Sequence, residues 1–120
     1  MPLISESIIG EYPSQGFVEA LISVRPGSSL RVCVRLERDR RAAMLRRADE
    51  LLPGLIAEMA KVELAVCEAT GCGSSSRVFD IWVEVDGSAS YTCGFLDGEH
   101  EGDLFRVVKE AGQYHVQQRA

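Results

Sequence analysis

One long helix-patterned segment, from about Arg40 to Thr70, stands alone between two stretches written as hairpins. Within it Leu45, Ala48, Leu52, Leu55, Met59, Val62 and Val66 recur three or four residues apart, the spacing that lines one face of a helix. Such a stripe must be buried against something, and the flanking segments offer only strands. The pattern therefore predicts a sheet with the helical segment lying on one of its faces. Pro53 lacks an amide donor and crowds the preceding turn, so Leu52-Pro53-Gly54 marks a kink or a break into two helices whose halves stay roughly aligned.

On the N-terminal side, Leu3 to Ile9 reads as a short first strand and Gly10 to Gly16 as a loop. Phe17 to Val24 and Leu30 to Leu36 read as a hairpin across Arg25-Pro-Gly-Ser-Ser29, where proline fixes φ and glycine accepts positive φ. In its second strand Leu30, Val32, Val34 and Leu36 alternate with Arg31, Cys33 and Arg35, giving one buried and one basic face. On the C-terminal side, Val78 to Val85 and Ala89 to Phe95 form another hairpin, and side-chain parity selects its loop. An odd loop, Asp86-Gly87-Ser88, places Phe79, Ile81, Val83 and Val85 on one face with Ala89, Tyr91, Cys93 and Phe95, whereas an even loop would mix them with Ser90 and Thr92. The other face then carries Asp80, Trp82, Glu84, Ser90 and Thr92. Leu104 to Lys109 and Gln113 to Gln118 form a last hairpin across Glu110-Ala-Gly112. With every strand connection read as a hairpin, residues 1–120 are expected to form a single α+β domain. It would be an antiparallel sheet of about six or seven strands, with one kinked or broken helical segment packed on one face.

Hydrophobic residues at 46% and charged residues at 26% belong to a chain that builds a packed core. No run approaches the roughly 18 apolar residues of a membrane span, and the start, Met-Pro-Leu-Ile-Ser-Glu-Ser, lacks the basic and apolar regions of a signal peptide. A cytoplasmic location is expected, with Cys33, Cys67, Cys72 and Cys93 as reduced thiols. The net charge of −5 is unevenly spread: residues 61–120 carry ten acids against five basic residues, while Arg31 to Arg47 gather seven arginines against Glu37 and Asp39. A basic island in an acidic chain does not supply the broad positive field of a nucleic-acid binder.

The chemistry-bearing motifs fall short of a reaction. Asp97-Gly-Glu-His-Glu-Gly-Asp103 offers carboxylates and an imidazole, but the twelfth position of a calcium loop is Val108 rather than glutamate, and its flanks read as strands. Cys33 and Cys93 point to opposite sides of the sheet, which separates two of the four thiols a zinc site would need. Gly71-Cys-Gly-Ser-Ser-Ser76 lacks the Lys-Ser/Thr ending of a phosphate loop and follows a helix instead of preceding one. His100 and His115 belong to no nucleophile arrangement. No catalytic residue, metal or cofactor is expected.

Two groups suit a protein partner. Arg40, Arg41, Arg46 and Arg47 crowd a helix start whose dipole is already positive, so something must offset them: acids of the same chain, such as Glu37, Asp39, Asp49 or Glu50, or an acidic partner. Trp82, the one tryptophan, sits among Asp80, Glu84 and Thr92 on the outer sheet face, where it serves as a binding anchor unless Leu3 to Ile9 or the last hairpin folds over it.

A hairpin, a helical segment, Ile81-Trp-Val-Glu-Val-Asp-Gly87, then Tyr91-Thr-Cys-Gly-Phe-Leu-Asp97 and a glycine-containing terminal hairpin resembles small bacterial α+β proteins of uncharacterised families, some associated with toxin immunity. The resemblance covers residues 17–118 and implies a non-enzymatic, partner-binding role without assigned site residues. A homo-oligomer is compatible with it. The alternative is a small-ligand binder or enzyme with a pocket between helix and sheet, which would bring His100, Tyr114 and Arg106 together.

Overall fold

Alternation of apolar and polar residues produces seven strands in the computed structural model, which describes residues 3–25, 27–71 and 76–119. They are β1 (Ile8–Tyr12), β2 (Phe17–Arg25), β3 (Ser28–Arg35), β4 (Ser76–Val83), β5 (Ala89–Phe95), β6 (Leu104–Glu110) and β7 (Gln113–Arg119). All seven join one sheet whose spatial order repeats the chain order. Between β3 and β4 the chain forms α1 (Arg41–Ala57) and α2 (Met59–Thr70). Pro26 and residues 72–75, on which the first turn, the phosphate-loop reading and part of the zinc reading rest, lie outside the described residues.

Every neighbouring pair is antiparallel except one: β3 and β4 run parallel, with Val32 beside Ile81 and Val34 beside Val83. This corrects the hairpin-only sheet. A helical segment packed back across a sheet is itself a return leg, so the next strand starts from the same end as the last; parallel neighbours require a long crossover of this kind. The architecture is a three-stranded meander, a helical crossover and a four-stranded meander.

The helical segment is divided, but not at Pro53. α1 continues through Pro53, and the interruption falls at Glu58, which has φ −87° and ψ −7°. The sheet anchors that point. Lys109 Nζ donates to Glu58 Oε1 at 2.6 Å, the Tyr114 hydroxyl donates to the same oxygen at 3.1 Å, and the buried Tyr91 hydroxyl donates to the Leu55 carbonyl at 2.8 Å. The Lys109 hydrogen bond, above all, holds the Glu58 carboxyl below the usual carboxylate range.

The core lies between the helices and one sheet face. Leu45, Ala48, Leu52, Met59, Val62 and Val66 of the stripe are buried, and Leu55 packs half-buried at its edge. They meet Val18, Ala20, Ile22, Leu30, Val32, Val34, Ile81, Val83, Tyr91, Cys93, Phe95, Phe105 and Val107 from β2 to β6. The segment before β1 is a short 3-10 turn, Ile4–Glu6, rather than the start of a strand, and its Ile4 is fully buried on this same face. The β4–β5 parity holds, with Ile81 opposite Tyr91 and Val83 opposite Ala89, but two details differ. The loop is longer, because Val83 and Ala89 close the ladder and Val85 belongs to the turn. A bulge between Val78 and Asp80 turns Phe79 outward, where its ring covers Gly94. Glu63 of α2 fixes that bulge by accepting the Val78 amide at 2.9 Å and the Ser76 hydroxyl on its own carbonyl at 2.7 Å.

Candidate functional site

Among the described residues, the opposite sheet face carries no helix. Strand pairing aligns its side chains in rows that cross the sheet: Leu21, Arg31, Asp80, Thr92, Arg106 and Gln117 form one, and Glu19, Cys33, Trp82, Ser90, Val108 and His115 the next. Neither the last hairpin nor the N-terminal segment folds over Trp82. The hairpin extends the sheet sideways as β6 and β7, and the N-terminal turn packs against α1.

Trp82 lies half-buried near the middle of this face. The Arg35 guanidinium sits 4.8 Å from its ring centroid and that of Arg31 5.8 Å, each within range of a cation–π contact. Phe17 tilts against it at 5.0 Å and stacks in turn on Tyr12 at 4.6 Å, so three aromatic rings run towards the β1 edge. Beside the tryptophan on the neighbouring strand, the fully buried Cys33 thiol is pushed up to about 11 by desolvation.

The charges around Trp82 are mostly matched. Arg31 bridges Glu19 and, at 3.3 Å, Asp80 Oδ2; Arg35 pairs with Glu84 at 3.0 Å. Two groups remain. Asp80 Oδ1 is buried without a hydrogen-bond partner, and no ion pair engages the exposed Arg106 among the described residues. Thr92 stands between them in the same row, and Ser90 opposite Trp82, both with little exposure. These side chains line a groove of about 330 Å³ in which Asp80 and Arg106 stand on either side of Thr92. A buried acceptor without a partner costs about 1–3 kcal/mol, which a donor reaching Asp80 Oδ1 would offset once the side chains over it shift.

The arginine island is organised differently. Arg40 pairs with Glu37 at 3.5 Å and Arg41 with Glu11 of β1 at 2.6 Å, so acids of the same chain offset the uncapped start of α1. Arg47 faces the β4–β5 loop and donates to the carbonyls of Glu84, at 3.2 Å, and Val85, at 2.6 Å. Arg46 is exposed beside a shallow hollow formed with Ser5, Ala42 and Asp49. The island thus does not converge on one ligand position. It adjoins the Trp82 face through Arg41, which lines a hollow with Tyr12 and Phe17, and through Arg47, whose hold on the loop steadies the end of Trp82's strand.

The groups that a helix–sheet pocket would need are dispersed. His100 Nδ1 lies 3.0 Å from Asp103 Oδ2 with its ring against Phe95 and Phe105; Tyr114 is tied to Glu58 on the helix side; Arg106 is on the outer face. Sequence reading missed Arg31, Arg35 and Arg106 as neighbours of Trp82. The alternation of β3 signals its basic face, but only the parallel β3–β4 pairing places that face beside Trp82. Compared with protein-family models, curated proteins and solved structures, the chain matches none of them.

Proposed function

We propose that this protein is a non-enzymatic, cytoplasmic binding module of immunity-like or regulatory type, which grips another protein with the outer sheet face around Trp82. The observation that carries this reading is the unmet acceptor of Asp80 beside Arg106, which no ion pair engages among the described residues, and the half-buried Trp82. The partner segment that fits presents an amide or cationic donor to Asp80 and a carboxylate to Arg106, with an apolar contact for Trp82. Arginine and tryptophan in a partly desolvated setting are the residue types that dominate protein interfaces. The arginine island is the less suited surface, since Arg40 and Arg41 already serve acids of the same chain and Arg47, though its buried Nε lacks a partner, is turned to the carbonyls of the β4–β5 loop.

Selection of a random peptide library displayed on phage against the protein tests this. The selected peptides should combine an acid with a basic or carboxamide residue at short spacing and should shift the Trp82 emission. Trp82→Ala and Arg106→Glu should each weaken them at least tenfold while keeping the native circular dichroism. Peptides that bind both variants as tightly as the wild type, or a library that yields no binder, would overturn the proposal.

A further inference from the structure

The two edges of the sheet are not equally protected. β1 is five residues long, its register is interrupted between Ile8 and Gly10, and Pro13 follows it; its Glu11 is also tied to α1 through Arg41. These are devices that keep an edge from pairing. β7 lacks the shortness and the interrupted register, although its Tyr114 is likewise tied to the helical segment through Glu58. It is seven residues long and pairs with β6 without a shift, from Leu104 opposite Arg119 to Glu110 opposite Gln113.

The turn between β6 and β7 fixes which backbone groups are free. Ala111 and Gly112 both have positive φ, 51° and 78°, as a two-residue primed hairpin turn requires. In such a hairpin the closing residues, Glu110 and Gln113, exchange both hydrogen bonds, and the pattern alternates along the ladder. The amides and carbonyls of Gln113, His115 and Gln117 therefore face β6, and those of Tyr114, Val116 and Gln118 point away from the sheet. Beside this edge, on the helix side, runs an open groove of about 540 Å³ between Tyr114 and Val116 of β7 and Ala65, Glu68 and Ala69 of α2. Small helix residues there leave room for side chains of one more strand.

We propose that a second copy of this chain supplies that strand, its β7 pairing antiparallel to the first about a two-fold axis at Val116. The register is self-complementary. Val116 meets Val116 of the second copy, Tyr114 meets Gln118, and His115 meets Gln117, so no like charges are opposed across the axis. The outward groups of the two strands form about six backbone hydrogen bonds, and each copy's Val116 gains cover on the helix side. The result is one continuous sheet in which both Trp82 faces remain open on the same side.

The test is the mass of the full chain in solution by light scattering and sedimentation across micromolar to hundreds of micromolar concentrations, for the wild type and Gln118→Pro. The Gln118 amide faces outward and its side chain is exposed, so proline there removes a donor to the second copy but none to β6. The wild type should show the mass of two chains, and Gln118→Pro should raise the dissociation constant at least tenfold. Hydrogen exchange of the wild type gives a second readout: the Tyr114, Val116 and Gln118 amides should become protected as concentration rises, while Gln117 is protected throughout. A wild type that stays monomeric, or a dimer without concentration-dependent protection at those three amides, would overturn the proposal.

Discussion

Replacing Pro53 by alanine separates two accounts of the helical segment. If the proline determined where the segment divides, its removal would straighten the helix, pull α2 off the sheet and destabilise the protein. The structure assigns the division to Glu58, held by Lys109 and Tyr114, and leaves Pro53 as an exposed residue inside α1. On that account alanine restores an amide facing the Asp49 carbonyl and relieves the crowding of that turn. Proline in a helix interior is about 3 kcal/mol worse than alanine, and part of that penalty is already relaxed by local bending, so a stabilisation of about 1–3 kcal/mol is expected. An unfolding entropy of about 2.1 cal/mol/K per residue gives about 0.25 kcal/mol/K for 120 residues, which converts the gain to a Tm rise of about 4–12 °C. Gly54→Ala adds about 0.5–1 kcal/mol, since a Cβ there meets nothing within 4 Å. Urea and thermal unfolding followed by Trp82 fluorescence and far-ultraviolet circular dichroism would measure both. An unchanged or lowered Tm in Pro53→Ala would refute the assignment and return the bend to the proline.

Two further outcomes are expected. The Glu58 carboxyl is held below its ordinary value in the folded protein, so its contribution to stability is present above the unfolded value of about 4.3 and is lost as pH falls through the lower folded value. The difference in urea midpoint between wild type and Lys109→Met should accordingly be constant above about pH 5 and close in more acidic solution; a difference that persists to about pH 2 would show that Lys109 acts by packing rather than charge. Burial raises the Cys33 thiol to about 11 and the Cys93 thiol to about 12, so at pH 8 both should resist alkylation in the folded protein and react on denaturation, as followed by peptide mass spectrometry. Rapid labelling of either under native conditions would contradict the packing around it.

Much of this fold is legible in the sequence because burial enforces periodicity. The stripe from Leu45 to Val66 and the parity of Ile81 and Val83 with Tyr91 and Ala89 follow from spacing alone, and both are found. What escapes notice depends on distant partners. Phe79 fits the alternation of an inward residue, but a glutamate on α2 fixes a bulge beneath it that reverses its side. The parallel β3–β4 pair follows from the direction in which α1 and α2 return the chain, which no local pattern records. For the site, the polar surroundings of Trp82 point it outward correctly, and the rings and guanidinium groups that surround it become apparent only once β2, β3 and β4 are known to be neighbours.

A sheet whose spatial order copies its chain order also has a particular folding topology. Five of its six strand pairings form across short connections, and only β3 with β4 must close a loop of roughly 40 residues, which costs about 2 kcal/mol more in chain entropy than a five-residue turn. The two meanders can therefore form as local units, each exposing a half-finished apolar face, and the meeting of Val32 and Val34 with Ile81 and Val83 under the helices is expected to be the step that commits the chain to its native state.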